Sequence, residues 1–362
     1  MLFRSWVVGI VLGVYIGTIV LLNIPNIQQA MSVFVAEELS EVLNTKVVIG
    51  RINMGLLNRI IIDDVLLDDQ SGQEMLKVTR LSAKFDIMPF FKGKISISSV
   101  QLFGFNINLR KETPDSPPNF KFVLDAFASK DTVKKENSLD LRINSILIRR
   151  GRMSYHVLSE EETPGKFNAK HIQLQNIIAN ISLKALSKDS LNLGIKRLSL
   201  DEKASGFSLK KMSLKLVANN KQTNIDNFTI ELPETSLKLD TIHLEYDSLK
   251  AFDRFTEQVH FSFRTLPSQV TLKDISPFVP ILSHFKEPVT LDMEVKGTVD
   301  QLTCSHLEIT ADDRQFRLRG DVSLQDLSHP QDAYVYGTLS ELSANTRGVG
   351  FLVRNLSPNY NG

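Results

Sequence analysis

Ile60-Ile61-Ile62-Asp63-Asp64-Val65-Leu66-Leu67 decides how this chain is read. Apolar residues stand at Ile60 and Ile62, two acids follow, and apolar residues return at Val65 and Leu67. The pattern, h-x-h-x-x-h-x-h, recurs at Leu76/Val78/Leu81/Ala83, Ile95/Ile97/Val100/Leu102, Leu141/Ile143/Ile146/Ile148, Ile172/Leu174/Ile177/Ala179, Leu193/Ile195/Leu198/Leu200, Phe207/Leu209/Met212/Leu214 and Leu237/Leu239/Ile242/Leu244. Alternation with period two is the strand signal, because successive side chains point to opposite faces of a sheet. The two-residue gap would turn the second half of each copy to the wrong face unless one extra residue is absorbed. A β-bulge or a tight bend absorbs it, and either one bends the strand and sharpens its twist. The expected fold is mainly β: an elongated, curved antiparallel sheet with one continuous apolar face. Successive copies start 14 to 46 residues apart, so hairpin loops of different length separate them.

The composition narrows the function. Forty-two basic and forty-one acidic residues nearly cancel, which argues against a nucleic-acid binder working through a strongly basic surface. Arg149, Arg150 and Arg152 flank Gly151 between two alternating runs and read as a solvated hairpin turn. Cys304 is the single cysteine, so no intrachain disulfide and no cysteine-cluster metal site can form.

Trp6 to Leu22 is seventeen residues without a charge. As a helix it rises roughly 26 Å, close to the ~30 Å of a bilayer's hydrocarbon layer. Trp6, Val7, Ile10, Val14, Ile16, Ile19 and Leu22 are its candidate membrane-anchor residues. Arg4 precedes it and no basic residue follows before Lys46, so the positive-inside tendency leaves Met1 in the cytoplasm and carries the body across. The run exceeds the usual h-region and no A-x-A site closes it. A retained anchor is therefore expected, with a cleaved signal peptide as the alternative. Pro25 opens a second helix, whose stripe of Ile27, Met31, Phe34, Val35, Leu39, Val42 and Leu43 either caps the first open edge of the sheet or lies on the membrane surface. Glu37, Glu38 and Glu41 favour the cap.

The expected organisation is an anchor at 1–24, an amphipathic capping helix at 25–45, a β-groove at 46–265, a helical insert at 266–288 and a continuation of the sheet at 289–362 that reads as part of a longer protein. Within it, Thr113 to Lys135 interrupts the alternation as a proline-containing loop, a short apolar helix and a charged linker. Asp274 to Phe285 is a second helical piece, with Ile275, Phe278, Val279 and Leu282 on one side.

No catalytic constellation stands out. H-E-x-x-H, G-x-x-x-x-G-K-[ST], G-x-S-x-G and C-x-x-C are all missing from the sequence. His171, His243 and His260 alternate with apolar neighbours and read as solvent-face strand residues. Asp63, Asp64, Asp68 and Asp69 read as turn acids, since the loop Asp68 to Gly72 lacks the ligand spacing of an EF-hand. The chain is expected not to be an enzyme, with no catalytic residue, metal or cofactor assigned.

Three stretches carry a family resemblance: the N-terminal helix, the run from Glu41 through Gly50, and Ile60 to Arg110. Within the last lie Ile61 to Asp68, Phe85-Asp86-Ile87, Gly93-Lys94-Ile95-Ser96-Ile97 and Val100-Gln101-Leu102-Phe103-Gly104-Phe105, and Asn119 to Phe127 follows as a short helix. In this order the chain resembles the AsmA-like superfamily, and most closely the N-terminal part of the TamB family of translocation and assembly module proteins, over about residues 1–130. It departs from them in lacking the long remainder and the C-terminal module that would engage an outer-membrane barrel. The resemblance implies a β-taco or open groove standing in the periplasm from a single-pass anchor in the Gram-negative inner membrane. It also implies phospholipid transport, outer-membrane biogenesis and a partner barrel of the Omp85 type, with membrane and phospholipid as further partners and no nucleic acid. An alternative is an assembly or chaperone-like factor that aids outer-membrane protein insertion or secretion by strand pairing. A closed barrel or two packed sheets is the architecture that would leave no groove. The candidate lipid lane is Ile95, Ile97, Val100, Leu102, Ile143, Ile146, Ile148, Ile172, Leu174, Ile195, Leu198, Leu200, Leu209, Met212, Leu214, Leu239, Ile242 and Leu244.

Overall fold

The two-residue gaps hold irregular residues. In the computed structural model, which describes residues 2–55, 58–86, 95–128, 139–140, 144–186, 190–311, 315–327 and 333–356, Asp64 and Asn176 lie in the left-handed region at φ 57° and 54°. Both stand inside a gap, between Ile62 and Val65 and between Leu174 and Ile177. At Ser98 the pairing steps from Lys84–Ser99 to Phe85–Ile97, and between Ile195 and Leu198 it slips again. These are the expected bulges.

Among the described residues eighteen strands pair in a mixed, parallel and antiparallel pattern, and the chain divides into two compact units. The first comprises Met1–Glu162 and Asn168–Ile178, the second Thr163–Phe167 and Ala179–Gly362. In the first unit, β1 (Val47–Gly55), β2 (Arg59–Asp68), β3 (Glu74–Phe85) and β4 (Ile95–Lys111) pair antiparallel in chain order. The register sets apolar residue against apolar residue. Ile52 faces Ile62, Ile62 faces Leu81, and Leu81 faces Leu102. A second row runs Ile49, Val65, Val78, Phe105.

The antiparallel expectation fails at the next strand. β6 (Ser145–Val157) runs parallel to β4, placing Val100 beside Ile146 and Leu102 beside Ile148. The two-residue β5 (Leu139–Asp140) is parallel to β4 as well. The physical reason is the length of the connection. Residues 112–144, with α3 (Lys121–Ala128) among them, are long enough for a crossover, which parallel strands require and a tight hairpin cannot supply.

The arginine cluster also belongs elsewhere than expected. Arg149, Arg150, Gly151 and Arg152 sit in the middle of β6, where Arg150 is the left-handed bulge residue at φ 56°. A Cβ on Gly151 would lie 2.4 Å from the Phe105 ring and 3.0 Å from Ile177 Cβ. The left-handed conformation costs a non-glycine residue about 1–2 kcal/mol. Burial of Phe105 recovers about 1.5–3 kcal/mol, and the Arg150 guanidinium lies over the Phe103 ring at 5.2 Å.

In the second unit, β8 (Ser190–Glu202), β9 (Ser208–Asn219) and β10 (Gln222–Glu231) continue the pattern. Ile195 faces Leu214, Leu198 faces Met212 and Leu200 faces Leu209. Next come two broken strands. β11 (Ser236–Lys238) and β12 (Ile242–Glu245) both pair with β10, and β13 (His260–Arg264) and β14 (Ser268–Val270) both pair with β15 (Val289–Gly297). The last gap of the motif, between Leu239 and Ile242, is thus a break rather than a bulge. β16 (Gln301–Ala311), β17 (Phe316–Gln325) and β18 (Tyr334–Ala344) complete an antiparallel run, and α4 (Thr346–Leu356) follows, setting Phe351 against Phe316. The insert between β14 and β15 is two short 3₁₀ turns, Leu272–Ile275 and Pro280–His284. Pro277 and Pro280 each lack the N–H that a continuous helix needs.

Substitution of Gly151 by Val forces a side chain into the Phe105 ring. We expect a loss of about 1–3 kcal/mol, as for an overpacked core, read as a lowered denaturation midpoint of the full chain in detergent. Phe105→Ala combined with Gly151→Val should recover part of it.

Candidate functional site

One face of the strands is apolar and the other is charged. Along the polar face of the first unit, Arg51, Asp63, Arg80, Phe103 and Arg149 form a cross-strand row, and Arg80 Nε donates to Asp63 Oδ1 at 2.6 Å. In the second unit Arg319 pairs with Glu308 at 3.0 Å and Lys211 with Glu231 at 3.3 Å. Asn224, His243 and Ser262 align there too, with His243 Nδ1 2.6 Å from Asn224 Oδ1. His243 and His260 take the polar positions expected of them. His171 does not, being 6% exposed.

The apolar face is covered at its start. α2 (Pro25–Leu43) and α3 pack over Val47, Ile49, Ile52, Leu67 and Met75 through Met31, Val35, Leu39, Leu43, Phe120, Phe122, Val123 and Ala126. Val47 N–H also donates to Ser40 Oγ at 3.0 Å. Only part of the expected stripe does this packing. Phe34 and Val42 are exposed, on the side of α2 away from that core.

Beyond the helical cover the lane residues are only partly shielded. Leu209 and Leu239 are buried, whereas Ile97, Val100, Leu102, Ile146, Ile148, Ile172, Leu174, Ile195, Leu198, Leu200, Met212, Leu214, Ile242 and Leu244 are all half-buried. Ile143 lies outside the described residues, as do Ile87, Gly93 and Lys94; Ile95 is in β4, but its side chain is not described. The register adds residues to the same rows that the eightfold motif did not include. Ile107 faces Met153, Leu216 faces Ile225, and Leu302 faces Leu324. Their signal is in the sequence, because alternation restarts after each strand's bulge and runs past the eight-residue window. A cavity of about 660 Å³ in the first unit is lined chiefly by the polar row, with Leu102 as its one lane residue.

At the anchor, α1 (Leu2–Leu22) is a helix, and its Trp6, Val14 and Ile16 are exposed while Ile19 and Leu22 are half-buried. Val7 and Ile10 lie in it, their side chains undescribed. Among the described residues no single helix is long and apolar enough to cross a membrane. Gly13–Leu22 and Pro25–Leu43 meet that requirement only together, bent by 71°. The bend is fastened to the sheet: Asn23 Nδ2 donates to the carbonyls of Ile19 and Met54, each at 2.8 Å, and Gln28 Nε2 donates to Asn53 Oδ1 at 2.7 Å.

One of the turn acids is a buried tie. Asp69, 2% exposed in its side chain, pairs with Arg110 at 2.7 Å and accepts hydrogen bonds from Ser71, Gln73 and Asn119. Burial alone would raise its pKa, but these hydrogen bonds outweigh it and hold the carboxyl below its ordinary value. Asn119 stands just before α3, so Asp69 links the β2–β3 turn to the helical cover.

No family model matches the chain, and no curated protein matches it.

Because the native carboxyl of Asp69 is depressed below 3.8, its contribution is complete above that value and fades as pH falls through the native one. Asp69→Asn should cost about 1.5–3 kcal/mol at neutral pH, measured by denaturant unfolding. The difference from wild type should shrink below about pH 4.

Proposed function

We propose that this chain is a lipid conduit of the TamB-like, AsmA-like kind. It would be held in a Gram-negative inner membrane by its N-terminal helices, cytoplasmic at Met1 and periplasmic in its body, and serve phospholipid transport and outer-membrane biogenesis. The observation that carries the proposal is the set of cross-strand apolar rows, kept on one face by bulges and left half-exposed beyond α2 and α3. Acyl chains leaving a bilayer cost about 0.8 kcal/mol per methylene, so a two-chain lipid faces roughly 20 kcal/mol in water. An apolar row of Ile, Leu, Val and Phe lowers that cost wherever the chains lie against it. The charged opposite face stays wet. The partners of this reading are membrane and phospholipid, with an Omp85-type barrel as the receiving protein.

A second reading rests on β18. Beside its pairing with β17 it carries exposed Tyr334, Val335, Tyr336, Leu339 and Leu342. Such a strand suits an assembly factor that binds client outer-membrane proteins by strand addition.

Native mass spectrometry of the full chain released from gentle detergent separates the two. The conduit predicts bound phospholipid, reduced several-fold in an Ile146→Glu, Leu198→Glu variant whose circular dichroism is unchanged. Lipid-free wild type, or equal loading of the variant, would sink it. Crosslinks from β18 to client barrels would support the second reading.

A further inference from the structure

The loop after β6 brings together three side chains that are scattered in sequence. His156 is the penultimate residue of β6, His171 opens β7 (His171–Leu186), and Glu162 lies in the loop between them. Their nearest ligand atoms all fall within 4.8 Å of one another. His156 Nδ1 and His171 Nδ1 stand 3.0 Å apart, and Glu162 Oε1 is 3.9 Å from His156 Nδ1. All three belong to the first unit.

The hydrogen-bond chemistry fixes which atoms are available. His171 Nε2 lies 2.9 Å from the Glu160 carbonyl oxygen. A carbonyl only accepts, so Nε2 carries the hydrogen, and the neutral ring presents a bare lone pair at Nδ1. That lone pair is aimed at the second imidazole nitrogen. Donation of the outer ring N–H to a backbone carbonyl is the usual way a metal-binding histidine is oriented.

The frame around these atoms is tied down. Val157 N–H donates to the Lys170 carbonyl and Glu160 N–H to the Val157 carbonyl. Lys170 Nζ pairs with Glu160 Oε2 at 2.6 Å, and Asn168 bridges to the Glu161 carbonyl and the Lys170 N–H. Glu160, whose carbonyl sets the His171 tautomer, is therefore held on both sides.

We propose that His156, His171 and Glu162 form a binding site for a divalent transition-metal ion, zinc by preference. Two imidazoles and a carboxylate are borderline-soft donors suited to zinc, and too nitrogen-rich for calcium or magnesium. Zinc–nitrogen bonds of about 2.0–2.1 Å at a tetrahedral angle set two nitrogens roughly 3.3 Å apart, so the histidines need to separate by only about 0.3 Å. Glu162 is exposed and free to swing inward, and water completes the fourth position. The ion pins the end of β6 to the start of β7.

The test is zinc titration of the full chain in detergent against a chromophoric chelator, with visible absorption of cobalt(II) as a second readout. Wild type should bind one ion per chain and give tetrahedral cobalt bands. His171→Gln should lose the site. Glu162→Gln, at an exposed position that cannot compromise folding, should weaken it at least about tenfold and alter the cobalt spectrum. Absence of stoichiometric zinc binding at micromolar free metal, or wild-type affinity and spectrum in both variants, would overturn the assignment.

Discussion

A strand has a side-chain period of two, and this chain repeatedly places its apolar residues out of phase with that period. One residue must leave the pleat at each interruption, or half of every strand would show its apolar side chains to the wrong face. The first unit meets this requirement in a line across its sheet. Gly50 on β1 lies against Asp64 on β2, and Thr79 on β3 is the residue passed over between the paired Val78 and Arg80. Opposite it, Gly104 on β4 has φ 64°, and a Cβ there would sit 2.7 Å from Thr79 Oγ1. Arg150 in β6 and Asn176 in β7 also take the left-handed conformation. The irregular residues meet one another across the ladder, so the apolar rows on both sides of the line remain in register.

From that constraint follows the division of the sheet into two chemistries. The rows Ile52, Ile62, Leu81, Leu102 and Ile49, Val65, Val78, Phe105 stay together because the bulges keep them so. Exposed ion pairs such as Arg80–Asp63 and Arg319–Glu308 contribute little to stability, about 0–1 kcal/mol each. Their role is to keep one side of the sheet hydrated. What remains on the other side is apolar surface, protected by α2 and α3 over the first strands and half-exposed beyond them. A surface of that kind suits a ligand made mostly of methylene groups.

Much of this was legible in the residues themselves. The gaps after Ile62 and Leu174 announced bulges because the alternation breaks there, but Asp63 and Asp64, read as turn acids, lie within β2, where Asp64 itself takes the left-handed conformation that aspartate tolerates. The short helix after Asn119 and the helix opened by Pro25 were likewise readable from their flanks and spacing. The parallel pairing of β4 with β6 was not, since a crossover is a property of where a long connection lands and not of the alternation on either side. Arg149 to Arg152 looked like a turn because Gly151 stood among charges. Its glycine is required instead by the Phe105 ring, which is forty-six residues away in sequence. His156, Glu162 and His171 gave no local signal either, because fifteen residues separate the two histidines and only the loop's fold brings them together. Nor did periodicity reveal that α2 would bury Met31, Val35 and Leu39 while leaving Phe34 outside.

The proposed conduit requires that the bulges keep one face available to acyl chains. Photo-crosslinking tests it directly. A photoreactive residue is placed in turn at positions 193 to 200 of β8, and the full chain is illuminated in membranes. Adducts with phospholipid are expected at the sites of Leu193, Ile195, Leu198 and Leu200, skipping two positions at the Lys196-Arg197 gap. Equal adducts at the intervening Gly194, Lys196, Arg197 and Ser199, or none at the apolar sites, would overturn that reading.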